Sequence, residues 1–198
     1  MNRLQKINSL ILAMFLLAPG GMAWADWELD NSQSVVNFVS IKNDSVGEVH
    51  SFASLVGSIG AAGNVQMTIN LDSVETLIAI RNERMRELLF ETVKFPSALL
   101  TAKVEPAVLA EAAKGGVVNA ELPVTLSLHG KDKTLTVPVV VVGGTDGSMR
   151  VFTARPVLVN AADFGLESGV TALQQVAGLK AISHAVPVTL QLLFVQAR

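Results

Sequence analysis

Few side chains in this sequence are equipped for chemistry, and their spacing limits what they could do. The histidines are His50, His129 and His184. A zinc or copper site built from them would need the fold to bring together three positions that share no short ligand spacing. A surface or turn role is expected for each, and His129 sits beside a glycine at a turn. Cysteine is absent, which excludes thiol nucleophiles and thiolate metal sites and leaves an exported chain to hold together without disulfides. Asp163, followed by Phe164 and Gly165, is an acid with no base, nucleophile or metal ligand beside it, and it reads as part of a structural loop. The glycine run "GSIGAAG" at 57–63 follows a strand without opening a helix, so it fails the context of a phosphate-binding loop and reads as a hairpin turn; no G-x-S-x-G elbow occurs. The expectation is a protein with no catalytic residues, no metal and no cofactor in the usual sense.

The elements that would position these residues are mostly strands. Residues 65–72 alternate strictly, with Val65, Met67, Ile69 and Leu71 on one side and Gln66, Thr68, Asn70 and Asp72 on the other. Residues 118–129 continue the same period for longer, with Val118, Ala120, Leu122, Val124, Leu126 and Leu128 on the dry side. Further strands are expected at about 34–42, 47–59, 97–104, 133–142, 148–159 and 184–195, which makes eight. The turns "GAAGN" (60–64), "HGKDK" (129–133) and "GGTDGS" (143–148) are short enough for antiparallel neighbours. Eight antiparallel strands with one dry face each can pack as a two-sheet sandwich or close into a barrel, and periodicity leaves that choice open. A barrel of this size is either filled by its own side chains or holds one small ligand.

Three stretches read as helix: "RNERMRELLF" (81–90), "EPAVLAEAAK" (105–114) and "SGVTALQQVAGL" (168–179). In the first, Asn82 is placed to cap the helix and Phe95-Pro96 returns the chain to extended geometry. Ile78, Met85, Leu88 and Leu89 share one face of it at helical spacing, while the charged residues fall mostly outside. That face either forms a lid over a cavity or plugs the core. The first 25 residues have the three parts of a secretory signal: Arg3 and Lys6, the apolar run Leu10 to Ala18, and a small-x-small site at Ala23-Trp24-Ala25. Nine uninterrupted apolar residues are too few to span ~30 Å of hydrocarbon, so cleavage after Ala25 is expected. One domain of residues 26–198 would then be exported, with no stable membrane insertion. Without Arg3 and Lys6 the net charge moves from −2 to about −4, which gives no reason to expect nucleic acid as a partner. Whether the protein is a monomer or a dimer is not encoded in any of these patterns.

The segments "SVETLIAIRNERMRELLFETVKFPSALLTAKV", "LPVTLSLHGKDKTLTVPVVV" and "NAADFGLES" carry a likeness that extends over nearly the whole expected mature chain in matching order. Through the R-x-x-x-M-R…LF…FP run at 81–96, the L-x-L-H-G-x-x-K-x-L hairpin at 126–135 and the DFGL at 163–166, the chain resembles the YceI family of bacterial periplasmic, lipocalin-like proteins. The resemblance implies an all-β fold: an extended antiparallel barrel of eight strands with two or three short helices at its side or mouth. It also implies a long cavity for a polyisoprenoid chain, such as that of a quinone or related lipid, held without catalysis. "VSIKNDSVGEVHSF" (39–52) departs from the family's usual second strand, where a glycine before the phenylalanine is common.

On that frame, strand parity names the expected ligand contacts: Phe38, Met67, Ile69, Leu71, Leu100, Leu126, Leu128, Val139, Val141, Leu190 and Leu192, joined by Met85, Leu88 and Phe90 from the first helix. Arg81 and Arg84 are the candidates for a head group. The chain has no tyrosine, so polar handles are scarce, and an apolar ligand would need little more than a lining. Each buried methylene contributes ~0.8 kcal/mol, so about ten carbons supply ~8 kcal/mol before ordering costs that remove half or more of it. The functional expectation is a periplasmic carrier of an isoprenoid-like or other long apolar lipid. The alternative is a stress-response or protein-interaction module with a filled core.

Overall fold

The computed structural model describes residues 25–197. The expected signal segment falls on residues 1–25, all but the last of which lie outside that range. Among the described residues, twelve strand segments join into eight strands: β1 (Ala25–Leu29 and Val35–Lys42), β2 (Val46–Phe52 and Leu55–Gly60), β3 (Asn64–Asn70 and Val74–Glu75), β4 (Ser97–Lys103), β5 (Val117–Leu128), β6 (Lys131–Gly143), β7 (Met149–Thr153 and Val157–Asn160) and β8 (Ala185–Gln196). Each pairs antiparallel with the next, as in Phe38↔His50, Gly57↔Met67, Met67↔Leu100, Leu100↔Leu126, Val124↔Leu135, Val151↔Val141 and Val151↔Leu192. The last strand returns to the first through Trp27↔Gln196 and Val188↔Phe38. The sheet therefore closes into an eight-stranded barrel, which leaves no long free edge.

Four strands are broken midway, three of them beside an identifiable local feature. In β1 the Asp30 side chain accepts the Ser32 N–H and caps a single turn, Asn31–Gln33. In β3 Asn70 does the same for Leu71–Ser73. Ala53-Ser54 divides β2, and in β7 Pro156, which has no N–H to donate, stands where pairing with β6 has ended at Thr153. Periodicity predicts 47–59 and 148–159 as single strands and no strand at Ala25–Leu29; the structure breaks the first two and adds the third. The β5–β6 hairpin is tighter than "HGKDK" suggested: only His129 and Gly130 form its turn, at φ 52° and 73°. Positive φ at both central residues gives a two-residue turn whose twist matches the strands.

The inward parity is apolar over most of the ring, His50 on β2 being a polar exception. On β5, Val124, Leu126 and Leu128 are buried and Glu121 and Pro123 exposed; on β8, Leu192 and Phe194 are buried and Gln191 exposed. Three helices complete the described fold. Helix α1 covers Ala79–Arg84 and continues as a wide π turn, Met85–Phe90; α2 covers Pro106–Ala112 and α3 Glu167–Val176. Asn82 is not the cap of α1: it lies inside the helix, and its Oδ1 accepts from the backbone N–H and hydroxyl of Thr76 at 2.9 and 2.6 Å. Helix α3 packs against the π turn, and Gly169 makes this possible: a Cβ there would stand 2.6 Å from the Leu88 carbonyl and 2.8 Å from Leu89 Cα. No described helix is long and apolar enough to cross a membrane.

Candidate functional site

Alternation on eight strands delivers one apolar interior, and that interior is not filled. A cavity of about 170 Å³ lies toward the α1 end, bounded by the walls of β1 to β8, by Leu89 and Phe90 of the π turn and by Leu166 and Val170 at the start of α3. A second space of about 80 Å³ lies toward the other end, where Val108 and Leu109 of α2 close it. Met67, Leu100, Val124, Val137 and Leu190 border both. The two therefore share a waist and run along one axis. Polar side chains on the walls are limited to Thr153 in the larger space and Thr101 in the smaller. An apolar cavity of ~150 Å³ is large enough for a benzene ring, so the open space amounts to a short stretch of hydrocarbon chain.

Of the residues named from parity, Phe38, Met67, Ile69, Leu71, Phe90, Leu100, Leu126, Leu128 and Leu190 border the larger space, and Val139, Val141 and Leu192 border the smaller. Met85 and Leu88 border neither. Met85 is buried, while Leu88 is half-buried and its neighbour Leu89 faces the cavity. Helical spacing of 3.6 placed Leu88 and Leu89 together on the inward face. The π turn takes more residues per turn and rotates that face onward, bringing Leu89 and Phe90 to the wall. Reading the sequence also overlooked wall contributions from the second halves of the broken strands, such as Val157 and Val159. Their alternation with Leu158, 65% exposed, was the available signal.

Neither arginine stands free at a mouth. Arg81 donates to Glu48 Oε2 at 2.7 Å and to the Thr76 carbonyl at 2.6 Å; Lys42 reaches the same Glu48 oxygen at 2.9 Å. The pair ties α1 to the barrel wall. Hydrogen bonding from Lys42, followed by the charge of Arg81, holds the Glu48 carboxyl below the usual glutamate range. Arg84 reaches the Val176 carbonyl at 3.4 Å, beside the end of α3.

The histidines remain separate, and no cluster of three potential metal-ligating side chains forms among the described residues. His129 occupies the turn as expected, its ring 4.3 Å from that of Phe95. His184 is half-buried, and its carbonyl accepts from Ala161 N–H. His50 departs from the expectation: it is 3% exposed, because its parity on β2 is that of Phe52 and turns it inward. Burial first, and the Arg81 charge next, lower its pKa. Asp163 lies in the loop before α3 and meets Lys133 at 3.2 Å, consistent with a structural part.

Comparison with known proteins places this geometry. A family model described as "YceI-like domain" matches residues 27–194. A polyisoprenoid-binding domain from Saccharophagus degradans, implicated in plant cell wall breakdown, is 37% identical with a TM-score of 0.85; the match covers 88% of this chain and 100% of that one. BcnA from Burkholderia cenocepacia is 20% identical with a TM-score of 0.65 over 83% of this chain and 98% of its own, a likeness that bears on the fold alone. No curated protein matches the chain.

Proposed function

The chain belongs to the YceI-like family, and from that premise we propose that it is a periplasmic binding or carrier protein for an isoprenoid-like or other long apolar lipid, which it holds in the barrel without chemical change. The observation that carries the reading is the continuous apolar lining around the open axis of a closed barrel. Hydrocarbon is favoured there because the chain leaves water and no polar group of the wall loses a partner. The polyisoprenoid-binding domain of Saccharophagus degradans, alike over its full length, supports the same ligand class. The signal-like first 25 residues support the compartment. The lining carries only the Thr153 and Thr101 hydroxyls, with no histidine, lysine or carboxylate bordering either space to activate them, which fits carriage better than catalysis. A bound quinone-like lipid would be cargo and not a cofactor.

The open volume sets a constraint. About 170 Å³ and 80 Å³ accommodate a short run of isoprene units. A longer chain requires the wall to widen or its end to leave the barrel beside α1. The same modest volume is what favours the second reading, an interaction or stress-response module whose core needs no ligand. Organic extraction of protein purified from its native host, followed by mass spectrometry, separates the two. A stoichiometric apolar lipid supports carriage, and protein that yields none and takes up none on titration points to the module.

A further inference from the structure

Closure of the barrel is uneven between β6 and β7. Their pairing runs from Met149↔Gly143 to Thr153↔Val139 and ends where the Pro138 carbonyl accepts from Ala154 N–H. Beyond that point Val157–Asn160 pairs with β8 and not with β6, while residues 131–137 of β6 pair with β5 and not with β7. The cause is a bulge: between Phe152↔Gln191 and Val157↔Val188, β7 advances five residues while β8 advances three. Pro156 lies in it and has no N–H to offer β6. A bulge bends its strand, and the second half of β7 departs from β6 here.

Main-chain direction alternates along each strand. The Pro138 carbonyl points to β7, so the N–H and C=O groups of Thr134 and Thr136 do too; Ala161 N–H points to the His184 carbonyl, so those of Leu158 and Asn160 point back to β6. Neither row meets a strand, and all four residues are exposed, where water serves these groups. On the inner face of the same gap, Leu135 and Val137 of β6 and Val157 and Val159 of β7 all border the larger cavity, and all but Val137 are only half-buried. The smaller cavity lies behind the paired halves, at Val139, Val141, Met149 and Val151. Lys133 bridges the far end of the gap, its Nζ meeting Asp163 at 3.2 Å, and Lys131 lies beside it, where a Cβ at Gly165 would stand 3.1 Å from its Nζ.

We propose that this gap is a side portal of the barrel: a hydrocarbon chain enters the larger cavity between β6 and the second half of β7, and the part of a long chain that the cavity cannot hold lies out through the same opening. The inference rests on the tunnel reading and adds the route. Moving apart two edges that share no hydrogen bonds breaks no ladder, whereas parting β3 from β4 or β5 from β6 would break one. Across the gap the fastening is the Lys133–Asp163 pair, and both side chains are exposed, so it yields readily. The way out beside α1 is held more firmly, by Arg81 on Glu48 and by the close contact of Gly169 with the π turn. The inner lip of the portal is Leu and Val, and its outer lip carries free main-chain groups. That suits a molecule with a hydrocarbon chain and a polar end that stays in water.

The chain has no cysteine, so introduced pairs can clip chosen edges without side reactions. Lys133→Cys with Asp163→Cys, joined by a short bismaleimide, clips the gap. Arg84→Cys with Val176→Cys, joined likewise, clips α1 to the end of α3, where the Arg84 side chain reaches the Val176 carbonyl at 3.4 Å. Release of tritiated farnesol into an excess of unlabelled farnesol is followed for each protein before and after joining. The gap clip should slow release by about tenfold, and the helix clip should leave it unchanged. Because a clipped protein could be distorted, charge changes supply a second readout. Lys133→Glu sets like charges across the gap and should speed release about threefold, and adding Asp163→Lys should restore the wild-type rate. Release untouched by the gap clip, slowed by the helix clip instead, or unmoved by Lys133→Glu would each overturn the portal while leaving the tunnel reading intact. Failure of the wild-type protein to bind farnesol removes both.

Discussion

Val124→Phe is the most informative single change in the tunnel. Val124 borders both cavities at their shared waist, with Ala102 as its neighbour on β4 and Leu135 on β6. The 170 Å³ of the larger space represents unrealised packing of about 4 kcal/mol at ~24 cal/mol per Å³. A phenyl ring in place of an isopropyl group would occupy about a third of that and stabilise the barrel by roughly 1 kcal/mol. In a domain of this size Tm should rise by about 2–4 °C. The same ring displaces two or three methylenes of a bound chain at ~0.8 kcal/mol each, weakening binding by about 30-fold. Thermal unfolding without ligand and fluorescence titration with an isoprenoid probe read the two effects separately. A filled core predicts the opposite pairing: overpacking that costs about 1–3 kcal/mol, with no change in lipid affinity. A fall in Tm with binding intact would refute the reasoning.

Two further outcomes follow from contacts around α1. Gly169→Ala puts a methyl group 2.6 Å from the Leu88 carbonyl; it should destabilise the protein by about 1–3 kcal/mol in denaturant unfolding and alter ligand affinity by moving Leu89. The Glu48 carboxyl is held below its ordinary value by Lys42 and Arg81. Its stabilising contribution is therefore fully present above the unfolded pKa of ~4.3 and is lost as pH falls through the lower folded value. Hydrogen-exchange protection over residues 79–90 should drop below about pH 4 in wild type, whereas Glu48→Gln should be less protected at neutral pH and lack that acid step.

Strand parity was legible because a period of two needs no knowledge of the partners. Met67, Leu100 and Leu126 could be assigned to the interior before any barrel was specified, and the structure sets them in register across β3, β4 and β5. Closure was less accessible from periodicity. It depends on β8 pairing with both halves of β1, and the first half, Ala25–Leu29, is five residues beside an expected cleavage site. The Leu88 assignment failed for a different reason: a π turn leaves the composition of a helix unchanged while shifting its inward face by a residue. His50 was misread because a histidine between Val49 and Ser51 looks solvent-facing by type. Its parity with Phe52 carried the better information, since alternation governs direction whatever the side chain. The tie from Arg81 to Glu48 joins residues 33 apart in sequence, and only the folded chain brings them together.

The central claim is that the barrel axis is open to a hydrocarbon chain. A crystal structure of the protein grown with a bromine-tagged isoprenoid locates such a chain directly through the anomalous signal of the bromine. The account predicts a peak inside the barrel among Met67, Leu100, Val137 and Leu190, with continuous density toward Phe38. Bromine found only on the outer surface, with side chains meeting across the axis, would contradict it.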